Sequence, residues 1–231
     1  MNFPRHIAII PDGNRTRAKE QWLDSYQGHL AGEHNSIALA QYIFEETPVE
    51  TLTFRWLSTE NLQQRSEQEL EYLSRLYEIA LQEVKELLHK CRVSFRRVGN
   101  ALWLPAHLID VLTQTQEECT FESTKTLVIG INYGWKDEII RGIQKLTPEE
   151  VSAITAETLT EKLDFYGLPT VDLLIRTKWD VARRLSWFML WRIDYAELFF
   201  SPLKFPAFTP AALQEALVRY DSVAEQRNFG K

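Results

Sequence analysis

Cysteine, glycine and proline are all scarce in this chain of 231 residues, with two Cys, nine Gly and nine Pro. The two cysteines, Cys91 and Cys119, have no Cys-x-x-Cys spacing, which argues against a disulfide framework and fits a reducing compartment. Both read as small buried hydrophobes. No apolar run approaches the roughly 18 residues a spanning helix requires. The start, Met1-Asn2-Phe3-Pro4-Arg5, lacks the basic and apolar regions of a secretory signal. The expectation is a cytoplasmic protein that touches a membrane surface at most transiently. Positive charge is not in excess either: the net charge is -6 and the pI about 5.5. No global field therefore advertises nucleic-acid binding, and any anion site must be local. Neither G-x-G-x-x-G nor G-x-x-x-x-G-K-[ST] occurs, which removes the two commonest nucleotide-phosphate loops.

What the chain does contain is apolar residues, 45% of the total, enough for one large domain over residues 1–231. Short β-rich runs alternate with long helical periods, the pattern of an α/β fold with a mainly parallel, six-stranded sheet flanked by helices. His6 to Ile10, Thr51 to Trp56, Val93 to Val98, Thr126 to Ile131 and Val171 to Ile175 read as strands, and Leu198 to Phe200 as a further apolar segment. Helices are expected from Gly28 to Glu46, from Asp137 to Leu146 and from Pro210 to Val223. A long amphipathic one runs behind Ser66-Glu67-Gln68-Glu69, which reads as a capping box. Pro105 reads as the first residue of another helix. Thr147 to Thr160 reads as short surface helices.

Two segments carry chemistry. In parallel sheets ligands sit at the carboxyl ends of strands, and Pro11-Asp12-Gly13-Asn14-Arg15 follows the first strand there. Asp12 offers a hard oxygen for Mg²⁺, Gly13 permits close backbone approach, and Arg15 or Arg17 reaches toward a phosphate. The strand Val171 to Ile175 ends in Arg176-Thr177, with Lys178, Arg183 and Arg184 behind it. Guanidinium groups gathered at one strand end call for an anion.

These segments resemble, in order and over nearly the whole chain, the motifs of the cis-prenyltransferase or undecaprenyl diphosphate synthase family. His6 to Asn14 is similar to its strand-plus-aspartate loop, and Gly28-His29 with Ala31-Gly32 to its GHxAG helix start. Phe54 to Asn61 resembles the segment ending in Ser-x-Glu-Asn, and Asn132-Tyr133-Gly134 its Asn-Tyr-Gly turn. Ile175-Arg176-Thr177, Arg184-Leu185-Ser186, Leu190-Trp191 and Tyr195 to Phe200 follow the C-terminal signature. The resemblance implies a homodimeric, Mg²⁺-dependent enzyme acting on prenyl diphosphates, with a hydrophobic substrate groove beside the long helix. It implies that Asp12 and Glu197 hold Mg²⁺, and that Arg176, Arg184 and Ser186 bind the diphosphate of isopentenyl diphosphate. Gly13, Asn14 and their amides would cradle the allylic diphosphate with Arg15, Arg17 and Ser58 nearby, while His29 and Asn61 assist that site and proton handling. Leu70, Leu73, Leu76, Tyr77 and Leu81 are candidates for the groove wall, though such residues on a helix are chiefly core. With 7 Trp, 8 Tyr and 12 Phe, the chain has aromatic surface to spare for it.

Several positions depart from the family pattern. Thr16 and Ser25 stand where arginines are usual, and Arg17 where a tryptophan is. Trp187 replaces an asparagine and Trp135 a glycine. The loop from Lys178 to Arg183 is about two residues longer than the family's, and the tail Arg227-Asn228-Phe229-Gly230 lacks one arginine. These changes crowd the allylic half of the site, so a short or irregular prenyl product is expected. The alternatives are a head-to-middle or cyclising synthase of the lavandulyl type, which uses dimethylallyl diphosphate, and a non-catalytic subunit of a heteromeric enzyme.

Overall fold

The computed structural model describes residues 1–178 and 184–223. The lengthened loop after Lys178 and the Arg227-Asn228-Phe229-Gly230 tail lie outside the described residues. Six strands form one parallel sheet: β1 (His6–Ile10), β2 (Thr51–Ser58), β3 (Ser94–Val98), β4 (Thr126–Tyr133), β5 (Leu173–Arg176) and β6 (Glu197–Phe200), in the order β3-β4-β2-β1-β5-β6. Helices cover both faces: α1 (Asn14–Glu20), α2 (Ser25–Glu46), α3 (Thr59–Gln64), α4 (Glu67–Cys91), α5 (Ala106–Glu118), α6 (Trp135–Gln144), α7 (Pro148–Ser152), α8 (Ala156–Lys162) and α9 (Pro210–Ser222).

The alternation of side chains along a strand sorts the core. Ile7 and Ile9 of β1 join a large cluster with residues of α2, α4, α5 and α9, while Ala8 and Ile10 join a second cluster with Phe165, Phe188 and Met189. Both faces of β1 are thus sealed from water, and each buried Ile contributes roughly 1.5–3 kcal/mol. With both faces covered, the strands read as near-continuous apolar runs.

Local chemistry moves several boundaries from the sequence expectation. Helix α2 starts at Ser25 rather than Gly28, because the Asp24 side chain accepts from Gln27 N at 3.0 Å and caps it. Asn14 and Arg15, read as the end of the loop after the first strand, instead open the short helix α1. Pro105 is the N-cap of α5, one residue before the position expected. The capping box at α4 is half made. Ser66 Oγ accepts from Glu69 N at 3.2 Å, but the Glu69 carboxylate turns toward Arg65, Arg15 and His29. Strand β5 runs through Arg176, which is therefore its last residue and opposite Ile10.

Candidate active site

The register of β1 with β5 brings together two segments that are far apart in sequence. Arg176 Nη2 donates to Asp12 Oδ2 at 2.9 Å. Thr177 fixes the Asp12 backbone, its hydroxyl accepting from Asp12 N at 2.8 Å and donating to the Asp12 carbonyl at 2.7 Å. Gly13 has φ +107°, in the left-handed region that L side chains avoid, and a Cβ there would stand 2.8 Å from Lys204 Cβ. Gly28 and Gly32 leave one face of α2 bare so that this loop can press on it. A Cβ on Gly28 would meet Asn14 O at 2.3 Å, and one on Gly32 would meet the Asn14 side chain at 2.6 Å. The glycines of α2 thus position the loop after β1.

Beside this loop lies a cavity of about 320 Å³. Its lining has six cationic side chains, Arg15, Arg55, Arg65, Arg176, Lys178 and Arg184, against the carboxyls of Asp12, Glu33 and Glu60. A chain with net charge -6 therefore concentrates positive charge at one spot. Arg176 is buried and also donates to Ser186 Oγ at 2.8 Å and to the Arg184 carbonyl. Arg55 donates to the Ser186 carbonyl at 2.7 Å and stacks over Phe188. Burial, and then Arg176, push the Arg55 guanidinium down to about 10, still charged at neutral pH. Ser186 and Trp187 hold φ of +46° and +61°. Non-glycine residues store strain there, and such strain clusters where a structure must hold one geometry.

The opposite wall is drier. His29 is buried, its Nε2 has no hydrogen-bond partner, and Glu69 Oε1 lies 3.9 Å away. Burial, then Arg65 and Arg15, hold His29 down to about 3, so the ring is neutral and weakly basic. One helical turn on, Glu33 is 6% exposed and its Oε2 has no partner. Burial alone pushes its carboxyl up to about 8. Trp56 and Tyr77 stack with centroids 4.5 Å apart and planes 11° apart, and the Tyr77 hydroxyl donates to the Trp56 carbonyl at 3.0 Å. Beyond them an apolar recess of about 20 Å³, lined by Ile37, Ala40, Phe54, Leu81 and Val84 among others, shares Glu33 and Trp56 with the polar cavity. It has room for about one water-sized body, far short of a five-carbon unit.

Of the residues expected at a site, Asp12, Gly13, Asn14, Arg15, His29, Ser58, Asn61, Arg176, Arg184 and Ser186 line this one cavity. Ser58 caps α3 by accepting from Asn61 N at 3.1 Å, which sets Asn61 in place. Arg17 is on α1 and is not in the lining. Glu197 is a clearer departure. It opens β6 opposite Leu173, whereas Phe200 at the other end pairs with Arg176. Three residues of strand put it roughly 10 Å from the Asp12 end of the sheet, so Asp12 and Glu197 of one chain do not share a cation. Of the proposed groove wall, Tyr77 lines the polar cavity and Leu81 the recess, while Leu73 and Leu76 are core and Leu70 packs against it.

Among the described residues no cluster of three or more His, Cys, Asp or Glu is arranged as a complete metal site. Asp12 alone, partly exposed beside the cationic wall, fits the way Mg²⁺ is commonly held, by one or two carboxylates with substrate phosphates and waters. Sequence reading missed Glu33, Arg55, Trp56, Arg65 and Glu69. Two of these had a signal: Glu33 is four residues after His29 on the same helical stripe, and Arg55 interrupts an apolar strand.

The family profile described as undecaprenyl diphosphate synthase, a prenyltransferase family, matches residues 10–230. An isoprenyl transferase of Rhodopirellula baltica is 33% identical over 236 residues, covering 100% of this chain and 94% of the relative. A ditrans,polycis-undecaprenyl-diphosphate synthase of Coxiella burnetii, specific for (2E,6E)-farnesyl diphosphate, is 32% identical, covering 99% of this chain and 96% of its own. Among solved structures, lavandulyl diphosphate synthase from Lavandula x intermedia, in complex with dimethylallyl diphosphate, superposes with a TM-score of 0.85 at 30% identity, covering 94% of this chain and 95% of that one.

Proposed function

The chain belongs to the undecaprenyl diphosphate synthase family of prenyltransferases, and from that premise we propose that it joins short prenyl diphosphates into a short or irregular product. The observation that carries the short-product reading is the Trp56–Tyr77 stack, behind which the apolar recess is only about 20 Å³. A growing polyprenyl tail needs a long dry compartment; a five-carbon donor does not.

The reaction makes a carbon–carbon bond by loss of diphosphate from an allylic donor and attack by the alkene of a second prenyl diphosphate. The main demand on the protein is to stabilise charge on the departing oxygens. Arg176, Arg184, Ser186 and Arg55 meet one diphosphate, and Gly13, Asn14, Arg15 and Arg65 the other. Charge-assisted hydrogen bonds each contribute roughly 1.5–3 kcal/mol, part of which also holds the ground state. Asp12, with substrate oxygens, would hold Mg²⁺, which when bound would supply Lewis-acid neutralisation of the leaving group. The Trp56–Tyr77 wall and buried Glu33 keep water from the allylic cation.

A second reading has its own support: the lavandulyl diphosphate synthase resemblance favours head-to-middle joining of two dimethylallyl diphosphates. Incubation with Mg²⁺ and dimethylallyl diphosphate, with and without isopentenyl diphosphate, followed by mass spectrometry, tests both. A ten-carbon product from the single substrate selects the irregular reaction. A ten- or fifteen-carbon product only with isopentenyl diphosphate selects regular condensation. Efficient synthesis of fifty-carbon or longer chains overturns the short-product reading, and no product from any donor leaves the non-catalytic subunit. The same family reading carries a homodimer in the cytoplasm, checked by light scattering and fractionation. No helix among the described residues is long and apolar enough to cross a membrane.

A further inference from the structure

Both versions of the reaction end in the same unsolved step. The donor C1–O bond breaks and its electron pair leaves on diphosphate. The π pair of the acceptor alkene forms the new carbon–carbon bond and leaves a tertiary cation. A proton must then come off the neighbouring carbon, its C–H pair becoming the new double bond. The acceptor of that proton has to face the hydrocarbon, because the cation forms there.

Most groups around the cavity are unsuited. Guanidinium groups have no acceptor. Asp12 is paired with Arg176 at 2.9 Å. Glu60 is exposed to water on α3. Glu69 Oε1 is shared by Arg65 at 3.5 Å, Arg15 at 3.8 Å and His29 at 3.9 Å. His29 is held neutral and weakly basic by its burial and the two arginines. Glu33 differs from all of them. It is 6% exposed, and among the described residues it has no cation partner and its buried Oε2 has no hydrogen bond. It also lines both the polar cavity and the apolar recess, beside Trp56 at their junction.

Resting on the prenyl-transfer reading, we propose that Glu33 is a catalytic residue that takes the proton from the condensation cation. A carboxylate at the hydrocarbon end of a water-poor cavity also lowers the energy of the cation before it accepts the proton. Neutralisation then relieves a buried charge, so the transfer runs downhill. Burial raises the basicity of the carboxylate in the same sense, and with the carboxyl held up to about 8 it is the ionised fraction, a minority at neutral pH, that accepts the proton. The carboxyl returns its proton to solvent when product leaves, and atoms and charge balance without a further reactant.

The test compares wild type with Glu33→Gln and Glu33→Asp. Glutamine keeps shape and polarity while removing the proton acceptor. The expected result is a loss of about 100-fold or more in kcat for Glu33→Gln, with unchanged binding of inorganic diphosphate by calorimetry and a folded spectrum by circular dichroism. Glu33→Asp retains part of the rate. With an acceptor deuterated at the carbon that loses the proton, it shows a larger kinetic isotope effect than wild type. A fully active Glu33→Gln, or an isotope effect unchanged in Glu33→Asp, overturns the assignment while leaving prenyl transfer intact. An inactive wild type, by contrast, overturns the prenyl-transfer reading and this assignment with it.

Discussion

The two sides of Trp56 differ in almost every physical respect. Toward the strand ends the cavity is about 320 Å³ and lined by six cations; behind the ring it is about 20 Å³ and nearly all hydrocarbon. The polar side is held by long-range polar contacts, Arg176 to Asp12, Arg176 to Ser186 and Arg55 to the Ser186 carbonyl. The apolar side is held by packing. On the proposed function, the contrast implies that diphosphate recognition and product size are set by largely separate groups, with Glu33 and Trp56 shared between the two cavities.

The largest effect is expected on the polar side. Arg176→Ala removes a buried cation, leaves Asp12 with only the longer Lys178 contact at 4.0 Å, and is expected to lower kcat/KM at least about 1000-fold. Arg176→Lys recovers only part of this, since one ammonium cannot make both the Asp12 and Ser186 contacts in the same fork. Steady-state kinetics for both variants check the pair. If Arg176→Ala instead keeps its kcat/KM and only lengthens the product, the division at Trp56 is wrong.

Next comes the apolar side. Trp56→Ala joins recess to cavity, and the expected outcome is a product longer by at least one five-carbon unit in mass spectra, with diphosphate affinity unchanged. Removing a ring that stacks on Tyr77 costs about 3 kcal/mol of stability, the low end for such truncations because Trp56 is only partly buried. A shorter or unchanged product breaks the comparison.

The dry wall also predicts a pH dependence of folding. Burial pushes Glu33 up to about 8, so between its unfolded value near 4.5 and 8 the folded state binds more protons than the unfolded one. Stability therefore falls as pH rises through that window, by a few kcal/mol at most. His29 and His6, both lowered chiefly by burial, to about 3 and about 4, act oppositely: the unfolded state binds protons first, and stability falls as pH drops below about 6.5. Melting temperatures for wild type and Glu33→Gln should coincide near pH 4 and diverge steadily as pH rises to about 8, with the variant higher. A variant no more stable at pH 8.5 contradicts the buried acid.

The smallest effect separates two arginines on α1. Arg15 lines the cavity but its side chain is 59% exposed, so Arg15→Ala is expected to raise KM by only a few-fold. Arg17→Ala, outside the lining, is expected to leave KM unchanged. A larger effect at Arg17 than at Arg15 reverses their placing.

The apolar periods made the central strands legible, because strands buried on both faces must be apolar throughout, as in Ile7 to Ile10 and Thr126 to Ile131, whereas β6, only partly buried, read no further than an apolar segment at Leu198 to Phe200. Asp12 and Arg176 were legible for a related reason: each follows or ends such a strand, where parallel sheets expose their loops. Helix starts were less so, since Asp24 acts through a side-chain hydrogen bond and Pro105 through backbone geometry, neither of which hydrophobic spacing reveals. Glu69 shows the same limit. Its place in a Ser-x-x-Glu pattern points to a helix cap, yet Arg65 and Arg15 draw the carboxylate away.

The sequence by itself determined the six-stranded α/β fold, the family and the cationic end of the cavity, because periodicity and strand-end motifs are local features written along the chain. Only the tertiary structure decided that Glu197 opens β6 at the far end of the sheet, that Trp56 and Tyr77 wall off the recess, and that Glu33 is left without a partner between the two compartments. Those outcomes depend on register and on which distant side chains fill the space around a group, and no stretch of sequence contains that information.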